Sequence, residues 1–107
     1  MKIKTSELTG VALDWAVAKC IGQPDEWMAD HRRGYINSAS TDWAQGGPII
    51  ERENISAISH NKPNHWVART TSYPPTYFRG PTPLIAAMRC YVASKLGDEV
   101  EVPDELA

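Results

Sequence analysis

Three histidines, two cysteines and thirteen carboxylates carry most of the potential chemistry in this 107-residue chain. A zinc site needs thiolates and imidazoles at close, regular spacing. His31, His60, His65, Cys20 and Cys90 form neither a CxxC nor an HExxH pattern, so surface histidines are the simpler reading. The acidic residues near Asp98 lack the ligand spacing of an EF-hand loop. Serine, aspartate and histidine all occur, but no G-x-S-x-G elbow presents a nucleophile. Glu51 with Glu53, or Asp14 with Asp42, would become an acid and base pair only in a cleft that separates their pKa values. Gly46-Gly47-Pro48 is followed by neither the Lys-Ser/Thr of a phosphate loop nor a dinucleotide fingerprint, and reads as a helix kink. The chain is therefore expected to work by binding, with no catalytic residue, no metal ligand and no cofactor.

The binding candidates are aromatic and basic. Trp27 and Met28 lie in a charged segment without periodicity, close to Arg32 and Arg33, while Tyr73, Tyr77 and Arg79 follow further along. Aromatic and methionine side chains are favoured interface anchors, so these seven residues are the expected contact group for a protein partner. Arg32, Arg33, Arg69 and Arg79 interleaved with Tyr35, Tyr73, Tyr77 and Phe78 also suit a single-stranded nucleic acid, which is the second reading. Arg89 lies at the rim of an apolar helical stripe. There an arginine buries its stem and reaches a carboxylate, so it is expected to clamp elements together through Asp14, Asp42 or Glu51. A ligand-binding arginine is the alternative.

These residues must be held by a small set of elements. Lys2-Ile3-Lys4 alternates like an edge strand. Leu13, Ala16, Val17 and Cys20 form one face of a helix capped by Thr9, with Leu8 and Leu13 as a hydrophobic staple. Gly22 and Pro24 stop it. Residues 23–40 form a long connection with one helical turn around Glu26 to Ala29. Ser40 or Thr41 caps a second helical segment, one kinked helix or two short ones, through Trp43, Ile49 and Ile50. Ile55 to Ile58 is a weak extended segment, and Trp66 to Thr71 reads as the central strand. His60 to Asn64 is a turn, and residues 73–81 form an irregular loop that prolines keep out of a ladder. Thr82 caps a helix from Pro83 to Leu96, stopped by Gly97, with Ile85, Met88, Val92 and Leu96 as its stripe. Val100 and Val102 alternate with Glu99 and Glu101 in a strand that suits pairing with Lys2 and Lys4. Trp15, Trp43 and Trp66 are assigned to the core. The expected fold class is α+β: two main helices and a kinked middle helix on a short, mostly antiparallel sheet, in one domain spanning 1–107.

Eleven Lys and Arg against thirteen Asp and Glu give a net charge of -2, which excludes a strongly basic nucleic-acid coat and a polyacidic tail protein. The acidic charge is unevenly placed. Residues 98–107 hold five carboxylates and no Lys or Arg, leaving eight acidic and eleven basic side chains elsewhere. No run approaches the roughly 20 apolar residues of a membrane span, and the charged start Met1 to Thr5 is followed by no apolar region of signal-peptide length. A cytoplasmic protein without membrane association is expected, its two cysteines free and buried, with a disulfide between them as the open alternative.

Lys4-Thr5-Ser6-Glu7-Leu8-Thr9-Gly10 with Ala12 to Ala18, Ser40-Thr41-Asp42-Trp43, Gly46 to Arg52, and Gly80 to Arg89 resemble the small NinX-like proteins of enterobacterial tailed phages. The likeness covers nearly the whole chain and is loosest over 23–39 and 56–79. The order of elements is more distantly similar to phage alpha-beta-alpha sandwich domains, which implies a layered α/β fold. The resemblance implies a phage accessory protein in the cytoplasm of its bacterial host. It transfers no site residue, because that family has no assigned activity. The expected partner is a host or phage protein, with self-association as a further arrangement.

Overall fold

Local chemistry sets the element boundaries along the whole chain. A computed structural model describes residues 1–22, 38–59, 62–71 and 75–106, apart from the Glu105 side chain. The order is β1 (Lys2–Lys4), a 3-10 turn (Thr5–Glu7), α1 (Gly10–Cys20), α2 (Trp43–Glu53), β2 (Ser56–Ser59), β3 (Trp66–Arg69), β4 (Tyr77–Gly80), α3 (Pro83–Leu96), β5 (Glu99–Glu101) and a second 3-10 turn (Asp104–Leu106). Among the described residues the fold is α+β: three helices packed with two small antiparallel sheets, β1-β5 and β2-β3-β4, where the sequence suggested one.

α3 is the centre of the assembly. Thr82 Oγ1 accepts the Ile85 N–H at 3.1 Å, and Pro83 takes the first helical turn, where its missing N–H costs nothing. Gly97, at φ 89°, ends the helix. Burial extends well beyond the expected stripe: Leu84, Ala86, Ala87, Met88, Cys90, Tyr91 and Val92 are all buried, while Ile85 and Leu96 are only partly so. The reason is that α3 packs against the three-stranded sheet as well as α1 and α2, and a helix covered on several sides is apolar around most of its circumference.

β3 is the central strand, as its bulky residues suggested. The expectation that residues 73–81 stay out of any ladder is corrected by β4, which pairs antiparallel with β3 from Trp66 opposite Gly80 to Arg69 opposite Tyr77. Pro75 and Pro81 bracket this strand without entering it, so no ladder N–H is lost. Gly80 fits because a Cβ there would lie 2.7 Å from the Ala86 backbone nitrogen, where β4 crosses the start of α3.

β1 pairs with β5 in the register Lys2–Glu101, Ile3–Val100 and Lys4–Glu99, which sets opposite charges across from one another as the alternation predicted. Thr5 is buried, and its hydroxyl donates to the Gly97 carbonyl at 2.6 Å, tying β1 to the end of α3.

In α1, Leu8 and Leu13 are both buried. Thr9 occupies the N-cap position but makes no side-chain cap bond. α2 is capped by Asp42, whose side chain accepts the Ala44 N–H at 2.9 Å, rather than by Ser40 or Thr41. It continues through Pro48 as one helix and ends at Asn54 in the left-handed region. Gly46 is required by close packing: a Cβ would sit 2.5 Å from both the Ala39 carbonyl oxygen and Leu84 Cδ1. That contact also explains why Trp43, expected in the core, is 56% exposed. Gly46 already meets the first turn of α3, so Trp43, about 4.5 Å earlier along the helix, projects past its neighbour's end. Trp15 is buried and Trp66 is partly buried against the core. Cys20 and Cys90 are free thiols.

Candidate functional site

Alternation along the strands divides the β2-β3-β4 sheet into two unlike faces. Ala57, Ala68 and Phe78 share the face toward α3, and Ala68 is fully buried. The opposite face carries Ser56 and Ile58 from β2, Val67 and Arg69 from β3, and Tyr77 and Arg79 from β4. Ile58 is 64% exposed and Tyr77 is 58% exposed. Ile58, Val67 and Arg79 stand in one cross-strand row, and with Tyr77 they line a depression of about 380 Å³. The six residues of this face include two arginines and no carboxylate.

Beyond the end of β3 the Thr70 N–H donates to the Thr76 carbonyl at 3.0 Å, and the Thr76 N–H donates to Thr70 Oγ1 at 2.9 Å. Antiparallel alternation then turns the N–H and carbonyl of Arg79 away from β3, toward the outer edge of β4. Arg89 closes that edge. Its Nη1 donates to the Arg79 carbonyl at 2.8 Å and its Nε donates to the Leu8 carbonyl at 2.7 Å. Arg89 thereby fastens α3 to β4 and to Leu8, two residues before α1. Burial pulls its pKa below the ordinary guanidinium value. Beside it lies a pocket of about 490 Å³, lined by Arg79, Arg89, Ser6 and Asn64 together with Tyr77 and Phe78.

The expected carboxylate clamp takes a different form. Arg89 holds carbonyls, and each of the three proposed partners lies elsewhere. Asp14 accepts the Ser40 N–H at 2.9 Å, linking α1 to the chain before α2. Asp42 caps α2, and Glu51 is exposed near its end. A backbone carbonyl carries no residue-type signature, so sequence reasoning pointed to carboxylates instead. Of the contact group, Tyr77 and Arg79 come together on the outer sheet face, whereas Trp27, Met28, Arg32, Arg33 and Tyr73 lie outside the described residues. So do His31, His60 and the segment around Glu26 to Ala29.

Arg69, expected in the basic and aromatic set, lies on the same outer face as Arg79, whereas Ile58 was not singled out from the sequence. The signal lay in the alternation of Ser56 to Ser59 and Trp66 to Arg69, once both were paired as strands. Arg52, Glu53, Lys95 and Tyr91 form a second polar cluster. Arg52 Nε meets Glu53 Oε2 at 3.0 Å, its Nη2 donates to the Tyr91 hydroxyl at 3.3 Å, and Lys95 Nζ lies 3.7 Å from Glu53 Oε1. This cluster pins the end of α2 to α3. Among the described residues no group of three His, Cys, Asp or Glu side chains is placed to hold a metal, and no helix is long and apolar enough to cross a membrane.

Fold and surface together define a small layered α+β protein whose distinctive features, among the described residues, are a sheet face with exposed Ile58 and Tyr77 and an arginine-lined pocket at its edge. The chain belongs to the family described as Bacteriophage P22, NinX, whose sequence profile matches residues 4–95. No curated protein matches it.

Proposed function

We propose that this phage-family protein is a non-catalytic binding protein that docks a host or phage protein on the outer face of β2-β3-β4, within the bacterial cytoplasm. The observation that carries this reading is the exposure of Ile58 and Tyr77 side by side with Val67, flanked by Arg69 and Arg79. Neither arginine makes an ion pair among the described residues. A protein surface with an apolar centre and acidic rim complements this face: aliphatic and aromatic groups supply the desolvated core of an interface, and rim charges steer the encounter. Aliphatic Ile58 and Val67 favour a protein over stacked bases. The second reading, a single-stranded nucleic acid, draws on Tyr77 as a stacking ring between two guanidiniums.

The test is affinity capture from lysate of phage-infected bacteria, comparing the native chain with an Ile58→Glu, Tyr77→Ala double variant. A protein retained by the native chain and lost by a variant of unchanged Tm supports docking on this face. Equal retention by both overturns it. Binding of a labelled oligonucleotide at about 50 mM salt, weakening steeply as salt rises, would transfer support to the second reading.

A further inference from the structure

The pocket at the β4 edge has a different character from the sheet face, and the two share only Tyr77 and Arg79. Arg89 has five N–H donors. Two are committed to the carbonyls of Leu8 and Arg79, which fix the guanidinium plane, and the other three have no protein acceptor among the described residues. A half-buried cation held only by carbonyls has lost part of its hydration without gaining a counter-charge. Arg79 lines the same pocket and also makes no ion pair among the described residues.

We propose that this pocket binds a phosphate monoester carried on a planar ring, of the nucleoside monophosphate class, with the phosphate held by Arg89 and Arg79. Two guanidiniums favour a dianion with three terminal oxygens over a single carboxylate, because each fork donates a pair of hydrogen bonds in the phosphate geometry. Size argues in the same direction. At about 490 Å³ the pocket is far larger than phosphate alone and falls within the range of small-ligand sites. Tyr77, on the same sheet face as Arg79, supplies a ring face for a base. Ser6 and Asn64 supply neutral donors and acceptors for sugar hydroxyls. The lowered pKa of Arg89 fits a site that an anion completes. This assignment does not depend on protein docking at the sheet face.

The experiment titrates adenosine monophosphate, inorganic phosphate and adenosine separately into the full chain at constant ionic strength. Heat is measured by calorimetry, and the Arg89 Nε–H resonance is followed by NMR. Adenosine monophosphate is expected to saturate and to shift that resonance, binding about tenfold more tightly than either phosphate or adenosine. Arg79→Gln, a change at an exposed side chain, is expected to weaken it about tenfold at unchanged Tm, whereas the uncharged change Ile58→Ala leaves it unaltered. Failure of adenosine monophosphate to saturate or to move the Arg89 signal by about 10 mM would overturn the proposal, as would undiminished affinity in Arg79→Gln. Equal affinity for phosphate and adenosine monophosphate would overturn the nucleotide assignment.

Discussion

Asp14 sits half-buried between α1 and the chain leading into α2, where burial raises its pKa and the bonds from Ser40 only partly offset that rise. Its folded pKa therefore lies above its unfolded value, and the native state binds the proton more tightly in between. Stability from this group is fully present below the ordinary carboxylate pKa and is lost as pH rises through the raised one. Asp14→Asn keeps an oxygen for the Ser40 N–H but cannot ionise. Urea unfolding at about pH 3.5 and pH 7 should show the variant gaining on the native protein as pH rises, the opposite of a salt-bridged carboxylate. The cysteines are a parallel case. Burial pushes both Cys20 and Cys90 up to about 11, and Cys90 donates to the Thr76 carbonyl at 3.3 Å. Thiolate is scarce at neutral pH, so a thiol reagent should react at least about tenfold more slowly with native protein than with protein unfolded in urea. At this scale the sequence was legible where a neighbour in the chain decides the outcome, as with the Thr82 cap. It was not legible for Arg89, whose acceptors are backbone carbonyls, that of Leu8 being 81 residues away in the chain.

Close approach between elements makes two further outcomes measurable. Gly46→Ala forces a Cβ against the Ala39 carbonyl and Leu84, one a backbone atom that cannot swing aside. The expected loss is about 1–3 kcal/mol in chemical denaturation, although alanine is the better helix former. Thr82→Ala removes the acceptor for the Ile85 N–H and should cost about 1 kcal/mol. The limits of α3 could be read in advance because Thr-Pro at one end and Gly at the other are local signals. β4 could not, since its flanking prolines suggested an irregular loop, and its pairing with β3 is a property of two separate segments. Trp43 was misplaced for a similar reason. Its exposure depends on the axial offset between α2 and α3, which no periodicity within one helix encodes.

Across the whole molecule, the uneven charge acquires a location. The acidic C-terminal residues Glu99 and Glu101 face Lys4 and Lys2 across the β1-β5 sheet, and Glu101 with Asp104 also meets the Met1 amino group at 2.9 and 3.1 Å. Glu101 and Asp104 are thereby engaged at that end of the molecule. Arg69, Arg79 and Arg89 belong to the other sheet and its edge, where no ion pair offsets them among the described residues. The net charge of -2 thus combines an acidic strand opposite basic partners with a sheet face that is basic and apolar. That face is where a partner is proposed to bind. The most direct test places a photo-crosslinking amino acid at Ile58 on the sheet, and as a control at Val11, an exposed apolar position on α1. After irradiation of phage-infected cells, the docking account predicts one discrete crosslinked protein from position 58 and none from position 11. No adduct at 58, or the same adduct from both positions, would contradict it.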